Sequence, residues 1–291
     1  MLRLATVITI LVLGISSLLG QTYESGSLQL EVFVSDSNSF CVTSTLIMGT
    51  REAILFDVQY HKSEAVKLAE RVLASGKRLK AIIISHPDPD HYQCAAIWKE
   101  RFPNTPIYMT AKALSIFKRN AMTYFTRNRT YYPAETPDSL PAPEVLPTTH
   151  WQLDGESIEV VTDLQGDVWS RSNSYLWIPS MRAIVAGDLV FNGVHVWLAN
   201  STQKSRAAWL KSLDQLEMHS PRIVIAGHKR DDTTSDSPGT IAATREYIKA
   251  FDDEMDNATG SDDLVAIMKH RFKSLALPNI LRYAAQEVIP D

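Results

Sequence analysis

The sequence predicts an α/β protein in which two β-sheets pack face to face and helices cover the outside. Runs of β-branched and aromatic residues alternate with segments of helical periodicity along the 291 residues. A first set of strands and helices is followed by a second set of similar plan and length, without repetition of the sequence. Side chains that commonly bind metals also recur where the predicted strands end.

The first half is predicted to open with an antiparallel meander of three strands. Turn residues such as Asp36-Ser37-Asn38 separate these strands. A helix follows whose apolar residues are spaced three and four apart, and its pattern stops at Gly76. The strands predicted in this half are 28–35, 40–48, 53–57, 81–84 and 107–109, and the helices are 61–73, 93–101 and 111–126.

The second half repeats this plan after a proline-rich stretch, residues 128–149. That stretch could be a linker between domains, but we interpret it as a long surface loop, because the chain after it resumes the same alternation. The C-terminal helices are expected to pack across the outer face. The strands predicted here are 157–162, 174–178, 183–186 and 223–226, and the helices are 205–216, 239–255 and 262–274.

The composition is that of a soluble globular protein, with 45% hydrophobic and 21% charged residues. The net charge of −4 and the pI near 6.1 leave no polybasic surface. Nucleic acid and anionic membranes are therefore not expected as partners, and a small-molecule substrate is.

Residues 1–20 resemble a secretory signal peptide, with Arg3 before an apolar stretch. The alternative is a membrane anchor, but the apolar stretch is shorter than the ~20 residues that span a bilayer. We therefore expect a secreted or periplasmic protein without stable membrane association after cleavage. Residues 21–291 would form a single domain with C-terminal helices.

Two further features depend on the cellular compartment. Asn128, Asn200 and Asn257 begin Asn-x-Ser/Thr tripeptides, which would be glycosylation sites in a eukaryotic host. Cys41 and Cys94 could pair as a disulfide in an oxidising compartment, or could be two small buried side chains.

The densest group of possible metal ligands is the heptapeptide Ser85-His86-Pro87-Asp88-Pro89-Asp90-His91, directly after an apolar strand. It could be an ordinary polar turn in which Asp90 caps the following helix. However, two histidines and two carboxylates within six residues are also a concentrated set of metal ligands that a loop can present.

Four other predicted strands end in a possible ligand or supporting residue. Three of these residues directly follow glycine, which lets the backbone turn sharply beside a crowded centre. An isolated Asp or His in a turn would be ordinary, but the set favours a metal site. The four residues are Asp57, Asp167, Asp188 and His228.

With these residues, the chain resembles the metallo-β-lactamase superfamily of binuclear metallohydrolases over about residues 28–247. That family has H-x-H-x-D-H after a strand, then a single His, a bridging Asp in a G-D turn and a final G-H. The resemblance implies a four-layered αββα sandwich with the metals at one edge between the sheets. It also implies two divalent metal ions, with zinc the usual metal.

The resemblance assigns roles to individual residues. Asp188 would bridge the two metals, Asp90 would be a ligand and the candidate catalytic residue, and Asp57 would support the site by accepting a hydrogen bond from a motif loop. Asp88 stands where the family has its second His, and Asp167 best matches the lone His. The implied first site is His86, Asp88, Asp167 and Asp188, and the implied second site is Asp90, His91, His228 and Asp188.

The two departures make the first site rich in oxygen. Carboxylates shift metal preference from zinc toward harder ions, so iron or manganese is also compatible with it. His195 and Trp197 lie in the loop after Asp188, where the family often contacts substrate, although the loop could simply cover the core. Trp169 and Arg171, just after Asp167, are weaker candidates for the same role, and Lys229 and Arg230 are either substrate-steering residues or solvated charges.

Three functions follow as hypotheses. The first is a secreted metallohydrolase in which a metal-bridging hydroxide attacks an ester, lactone, amide or phosphoester. The second is a diiron enzyme of redox or oxygen chemistry, which Asp88 and Asp167 would suit. The third is a non-catalytic or mononuclear member of the family. The sequence leaves the substrate and the oligomeric state open.

Overall fold

The structure, a computed structural model, describes residues 21–289, so the predicted signal peptide lies outside the described residues. The strands are β1 (Thr22–Ser25), β2 (Leu28–Val34), β3 (Thr43–Met48), β4 (Glu52–Phe56), β5 (Arg78–Ile83), β6 (Ile107–Met109), β7 (Glu144–Val145), β8 (His150–Leu153), β9 (Glu156–Leu164), β10 (Asn173–Ile178), β11 (Ala183–Val185), β12 (Phe191–Asn192), β13 (Ile223–Ile225) and β14 (His228–Lys229). The helices are α1 (Lys62–Ala74), α2 (Pro89–Tyr92), α3 (Ala95–Arg101), α4 (Ala111–Tyr131), α5 (Gln203–Met218), α6 (Gly239–Met255), α7 (Ser261–Arg271) and α8 (Pro278–Val288).

Two larger sheets and one small strand pair form the framework. The first sheet runs in the order β1 to β7; its first four strands are antiparallel neighbours, and the pairs from β4 to β7 are parallel. The second sheet has the order β13-β11-β10-β9-β8, with β11 and β13 parallel. Strands β12 and β14 pair in parallel beside it. The predicted antiparallel meander at the start is confirmed.

The core lies in three apolar layers that follow from the alternation of side chains along the strands. The middle layer joins the two sheets; from the first it includes Leu30, Ile54 and Ile83, and from the second Leu176 and Val185. These side chains are at most 2% exposed. The two sheets therefore pack face to face, as the sequence predicted.

The other two layers fix helices to the outer faces. Helices α1, α3 and α4 cover the first sheet, where Trp98 and Phe117 are buried among its outward side chains. Helices α5 to α8 cover the second sheet through residues such as Trp209, Phe251 and Leu281. The arrangement is the predicted αββα sandwich. Within residues 21–289, no helix is both long enough and apolar enough to cross a membrane.

Several predicted elements differ from the structure at their ends. The helix predicted at 93–101 corresponds to α3, and a separate single turn, α2, precedes it and begins at Pro89, because proline suits the first helical position. Helix α4 continues to Tyr131, and the loop after it contributes β7 to the first sheet. The elements missed by periodicity are either short or near the ends of sheets or of the chain: β1, β7, β8, β12, β14, α2 and α8.

Two sequence-based expectations are decided by burial. Cys41 and Cys94 are free and buried, so the disulfide reading is wrong in this structure and the small-side-chain reading holds. The Asn128 side chain is buried and donates a hydrogen bond of 2.6 Å to Gln93 Oε1, so it cannot carry a glycan in the folded chain. Asn200 and Asn257 are exposed, and their glycosylation stays a prediction.

Candidate metal centre

The candidate centre lies at the edge of the sandwich where parallel strands of both sheets end. Asp57 and Ser85 follow the neighbouring strands β4 and β5, and the turn after β11 carries Asp188. His228 follows β13, which is parallel to β11. In α/β sheets, side chains at the carboxyl ends of parallel strands converge at one edge, and this edge is where ligands commonly bind.

The heptapeptide found in the sequence forms the loop from β5 into α2. Asp88 occupies the N-cap position of α2, and Asp90 and His91 lie within its single turn. Because Asp90 lies inside α2, the alternative in which Asp90 caps the following helix is wrong, and Asp88 at the N-cap makes no capping hydrogen bond through its side chain. The side chains of His86 and His91 are fully buried, whereas Asp88 and Asp90 are partly exposed.

Three histidine Nε2 atoms surround the Asp188 carboxylate. His91 Nε2 lies 3.2 Å from Asp188 Oδ1, and His228 Nε2 lies 3.0 Å from Asp188 Oδ2. His86 Nε2 is 3.9 Å from the same Oδ2. Asp90 Oδ2 is 3.5 Å from His91 Nε2 and 3.2 Å from His228 Nε2. Asp188 therefore lies between all three histidines, in a position that suits a bridging ligand.

The other ring nitrogen of each histidine is occupied by a hydrogen-bond partner outside the cluster. His228 Nδ1 donates to the Phe40 carbonyl at 2.7 Å, and His91 Nδ1 donates to Asp57 Oδ2 at 2.8 Å. His86 Nδ1 is 2.8 Å from Ser85 Oγ, which itself donates to Asp57 Oδ2. Because each Nδ1 carries a proton, the Nε2 of each neutral ring presents a lone pair to the centre.

Asp57 has the supporting position that the resemblance implies. Its Oδ1 accepts a hydrogen bond of 2.8 Å from the Ser85 backbone N–H, and its Oδ2 accepts from Ser85 Oγ and His91 Nδ1. Asp57 itself has a positive φ of 64°, a conformation uncommon for residues other than glycine. One carboxylate thus orients both the loop after β5 and a histidine of the cluster.

A second group joins this one through His86. His86, Asp88 and Asp167 can bring one ligand atom each within 4.8 Å of one another. Asp167 Oδ2 lies 3.9 Å from His86 Nε2, and Asp167 Oδ1 accepts a hydrogen bond from Asn173. The structure therefore brings together all seven residues that the sequence predicted as ligands: His86, Asp88, Asp90, His91, Asp167, Asp188 and His228.

Electrostatics show that this cluster needs positive charge. Burial, followed by the Asp90 and Asp188 carboxylates, raises the pKa of Asp88 to about 7. Burial and then Asp188 and Asp88 raise the pKa of Asp167 well above its usual range. Burial lowers the pKa of His228, but Asp188 and Asp90 outweigh it and raise that pKa to about 10. Without cations, Asp88 and Asp167 resist ionisation, and His91 and His228 retain a proton beside the ionised Asp188.

Divalent metal ions fit the arrangement. With metal–ligand distances near 2.1 Å, neighbouring ligands of a tetrahedral zinc ion lie about 3.4 Å apart, close to the spacings between Nε2 and Oδ atoms here. His86 Nε2, His91 Nε2 and Asp188 Oδ1 are buried and have no hydrogen-bond partner. Buried polar atoms are rarely left unpaired, and cations bound at this centre would satisfy all three.

A close approach at Gly227 holds the two halves of the cluster together. A Cβ on this residue would overlap Asp188 Oδ1 and would lie 2.6 Å from the Gly187 carbonyl carbon. The Gly227 N–H donates to the Gly187 carbonyl at 2.9 Å. The glycine before His228 is therefore required because the backbone passes directly against the Asp188 turn.

The structure does not bring the predicted substrate residues to the centre. The His195 side chain is 1% exposed, and its Nδ1 lies 2.9 Å from Tyr247 Oη on α6. Trp197 is half-buried, with its ring 6.3 Å from that of Tyr283 on α8. Both residues pack in the helical layer outside the second sheet, which is the core-covering alternative.

The remaining candidates for substrate contact differ in their exposure and in their partners. Trp169 is 55% exposed, and Arg171 lines a surface cavity of about 650 Å³ together with Lys112 and Asp163. Lys229 is fully buried in an ion pair of 2.8 Å with Asp236, so it is neither a solvated charge nor free to steer a substrate. Arg230 is exposed, and its guanidinium donates to backbone carbonyls.

Sequence reasoning missed the residues that position the ligands. Ser85 Oγ forms hydrogen bonds with both His86 and Asp57. Asn173 donates a hydrogen bond to Asp167, and the Phe40 carbonyl accepts one from His228. Ser85 could have been suspected, because it directly precedes the first ligand. A backbone carbonyl far away in the chain carries no sequence signal at all.

A family model described as the metallo-β-lactamase superfamily matches residues 40–228. No curated protein sequence matches the chain. Among solved structures, a metallo-β-lactamase family protein from Thermus thermophilus superposes with a TM-score of 0.61 at 17% identity, covering 89% of this chain and 93% of that one.

Two further structures give the same result. The DIM-1 metallo-β-lactamase has a TM-score of 0.57 at 18% identity, with 79% of this chain and 96% of that chain covered. A metallo-β-lactamase from Pontibacter korlensis has a TM-score of 0.56 at 13% identity, with 79% and 99% covered. Identities this low establish a shared fold and carry no information about the substrate.

Proposed function

Because the chain belongs to the metallo-β-lactamase superfamily, whose members are metallohydrolases, we propose that it hydrolyses a small-molecule ester, lactone, amide or phosphoester at two divalent metal ions. The observation that carries the proposal is the convergence of three buried histidine Nε2 atoms on the Asp188 carboxylate. Bound cations would replace the protons of these histidines and would allow Asp88 and Asp167 to ionise beside Asp188.

We assign His86, Asp88, Asp167 and Asp188 to the first metal, and Asp90, His91, His228 and Asp188 to the second. The contacts around Asp188 support its bridging role, since its carboxylate lies 3.9 Å from His86 Nε2 of the first site and 3.2 and 3.0 Å from His91 Nε2 and His228 Nε2 of the second. Zinc is the metal we propose, since the second group contains two imidazoles and zinc accepts nitrogen and carboxylate ligands in tetrahedral geometry.

The chain's own residues define how a substrate would be received. Pro87 and the histidines behind it are buried, whereas Asp88, Pro89 and Asp90 are partly exposed, so substrate would approach from the Asp88–Asp90 side. When bound, two divalent ions supply a nucleophile from water at neutral pH and polarise the acceptor oxygen. Asp90, on that open side, is placed to accept the proton of the attacking water, which is the catalytic role we assign to it.

A diiron redox enzyme is the second candidate, and the composition of the first group favours it. His86, Asp88 and Asp167 offer one nitrogen and two carboxylates, a harder donor set than the second group has. Two irons with redox activity, and no hydrolysis, would select this candidate. A single bound ion would instead select a mononuclear member of the family.

The decisive experiment combines elemental analysis with a screen of ester, lactone, β-lactam and phosphodiester substrates. We expect two zinc ions per chain and hydrolysis of at least one class. Asp90→Ala and His228→Ala should each lose metal and activity, while the exposed Asp138→Ala and His270→Ala serve as matched controls. Full activity and metal content in either ligand variant would contradict the assignment.

A separate variant tests the unusual first site. Asp88→His replaces a carboxylate by the residue that the family has at this position, so it should raise the zinc affinity of the first site. Competition against a zinc chelator measures this affinity. A lower or unchanged zinc stoichiometry and affinity would show that Asp88 is not a ligand.

We also propose that residues 1–20 direct export and are removed, and that residues 21–291 form one domain. Support comes from the apolar stretch behind Arg3. N-terminal sequencing of protein recovered from the medium or periplasm should start at or near Gln21. An intact N-terminus in the cytoplasmic fraction would contradict export.

A further inference from the structure

A row of aromatic side chains, Phe40, Tyr60 and Tyr132, leads away from the candidate centre. The backbone carbonyl of Phe40 holds His228, and its ring lies 5.5 Å from that of Tyr60. The Tyr60 and Tyr132 rings meet edge to face at 5.8 Å. Phe40 and Tyr132 are half-buried, and Tyr60 is 5% exposed. We call these three residues the aromatic wall.

Hydrogen bonds fix the second half of α4 beside this wall and the motif loop. Asn128 Nδ2 donates to Gln93 Oε1 at 2.6 Å, and Gln93 Nε2 donates to the Tyr60 carbonyl at 3.2 Å. Gln93 directly follows α2, which carries Asp90 and His91. The position of Arg127, next to Asn128 on α4, is therefore set relative to the centre by buried contacts.

Arg127 on α4 provides an exposed positive charge near the aromatic wall. Its guanidinium lies over the Tyr124 ring, 5.0 Å from the centroid, and is exposed. Across residues 21–289, no carboxylate pairs with this guanidinium within 4.0 Å. Burial and then Asp90 raise the pKa of the Tyr60 hydroxyl, while Arg127 lowers it, so this hydroxyl lies near both charges.

The positive charge of Arg127 matters because the metal-loaded centre would itself be close to neutral. Four carboxylates, those of Asp88, Asp90, Asp167 and Asp188, would cancel the charge of two divalent ions. The loaded centre would then offer little net attraction for a distant anionic group of a substrate. A guanidinium held by an aromatic ring is pre-organised to bind a carboxylate through two parallel hydrogen bonds.

We propose that the substrate carries a carboxylate that binds Arg127, joined to the scissile carbonyl by an apolar chain that lies on the aromatic wall. One guanidinium supplies one positive charge, which matches a carboxylate. The inference rests on the proposed function for the scissile group, and it names the substrate class: acyl compounds with a second, anionic end.

Binding measurements test the inference without relying on turnover. The ligands are the monoanilides of succinic, glutaric and adipic acid, each compared with the neutral anilide of equal chain length by calorimetry on the metal-loaded protein. We expect at least one monoanilide to bind roughly tenfold more tightly than its neutral partner. Arg127→Ala should abolish this difference and leave the affinity for the neutral anilide unchanged.

A matched control is available on the same helix. Arg129 is also exposed and lies over an aromatic ring, that of Phe125, at 6.0 Å. Arg129→Ala should retain the full preference for the monoanilide. Tyr132→Ala should weaken charged and neutral anilides by the same factor, because it removes apolar surface and no charge.

Several results would overturn the inference: no monoanilide preferred over its neutral partner, no binding of either, or equal weakening of both by Arg127→Ala. Hydrolysis of mono-4-nitrophenyl glutarate and 4-nitrophenyl valerate is measured in parallel. A binding preference without hydrolysis of these esters or of any compound in the lactone, β-lactam and phosphodiester screen would refute the proposed function alone. Hydrolysis without a preference would refute the inference alone.

Discussion

The burial of His195 makes a specific prediction about stability and pH. Burial, together with the positive charge of Lys269, lowers the pKa of this imidazole from 6.5 to about 4. His195 is 1% exposed and its Nδ1 lies 2.9 Å from Tyr247 Oη, and among residues 21–289 no carboxylate lies within 4.0 Å of its ring nitrogens. The native structure therefore favours neutral His195.

The sign and size of the effect follow from linkage. Because the folded pKa is lower than the unfolded one, the stabilisation is complete above pH 6.5 and is lost as the pH falls through about 4. A difference of about 2.5 between the two pKa values corresponds to about 3 kcal/mol. Most of that free energy should disappear between pH 6.5 and pH 4.

The assay compares urea unfolding of wild type and His195→Gln at several pH values. Glutamine can still bond to the Tyr247 hydroxyl but does not titrate in this range, and contributions from the metal ligands cancel in the difference between the two proteins. We expect the wild-type advantage in unfolding free energy to fall by about 3 kcal/mol from pH 7 to pH 4. We also expect kcat/KM at pH 7.5 to change less than twofold. Equal changes of unfolding free energy with pH in the two proteins would refute the reasoning. A large rise in KM for His195→Gln would indicate that His195 contacts the substrate.

Four other outcomes can be tested directly. Gly227→Ala should displace the Asp188 carboxylate, so metal analysis should show loss of bound metal; unchanged stoichiometry would contradict the close packing. Asp57→Asn cannot accept all three hydrogen bonds, so chelator competition should show metal affinity lower by about 10- to 100-fold. Asp236→Ala leaves the Lys229 ammonium buried without its partner, which should cost about 3–5 kcal/mol and lower the Tm by about 6–10 °C; replacing both residues with apolar ones should restore most of the loss. Removing metal with a chelator should lower the Tm by at least about 5 °C relative to protein with metal at ~100 times its Kd, and readdition should restore it.

The sequence alone was sufficient for the plan of the fold and the composition of the site. Strand and helix periodicity predicted two sheets with helices outside, because one face of each element must be apolar to be buried. The candidate ligand residues could also be found from sequence, since they follow strands whose carboxyl ends share an edge. His86, Asp90 and His91 are close in the chain, so their proximity needed no knowledge of the fold.

The tertiary structure decided what depends on contacts between distant segments. Asp167 could be paired with His86, and Phe40 with His228, only once β9, β13 and the loop after β2 were placed in space. Burial, which no local pattern fixes for a polar residue, moved His195 and Lys229 from the surface into the core. The candidate ligands can thus be found from short motifs in the sequence. The residues that orient these ligands or balance their charge lie far away in the chain, and only packing brings them to the site.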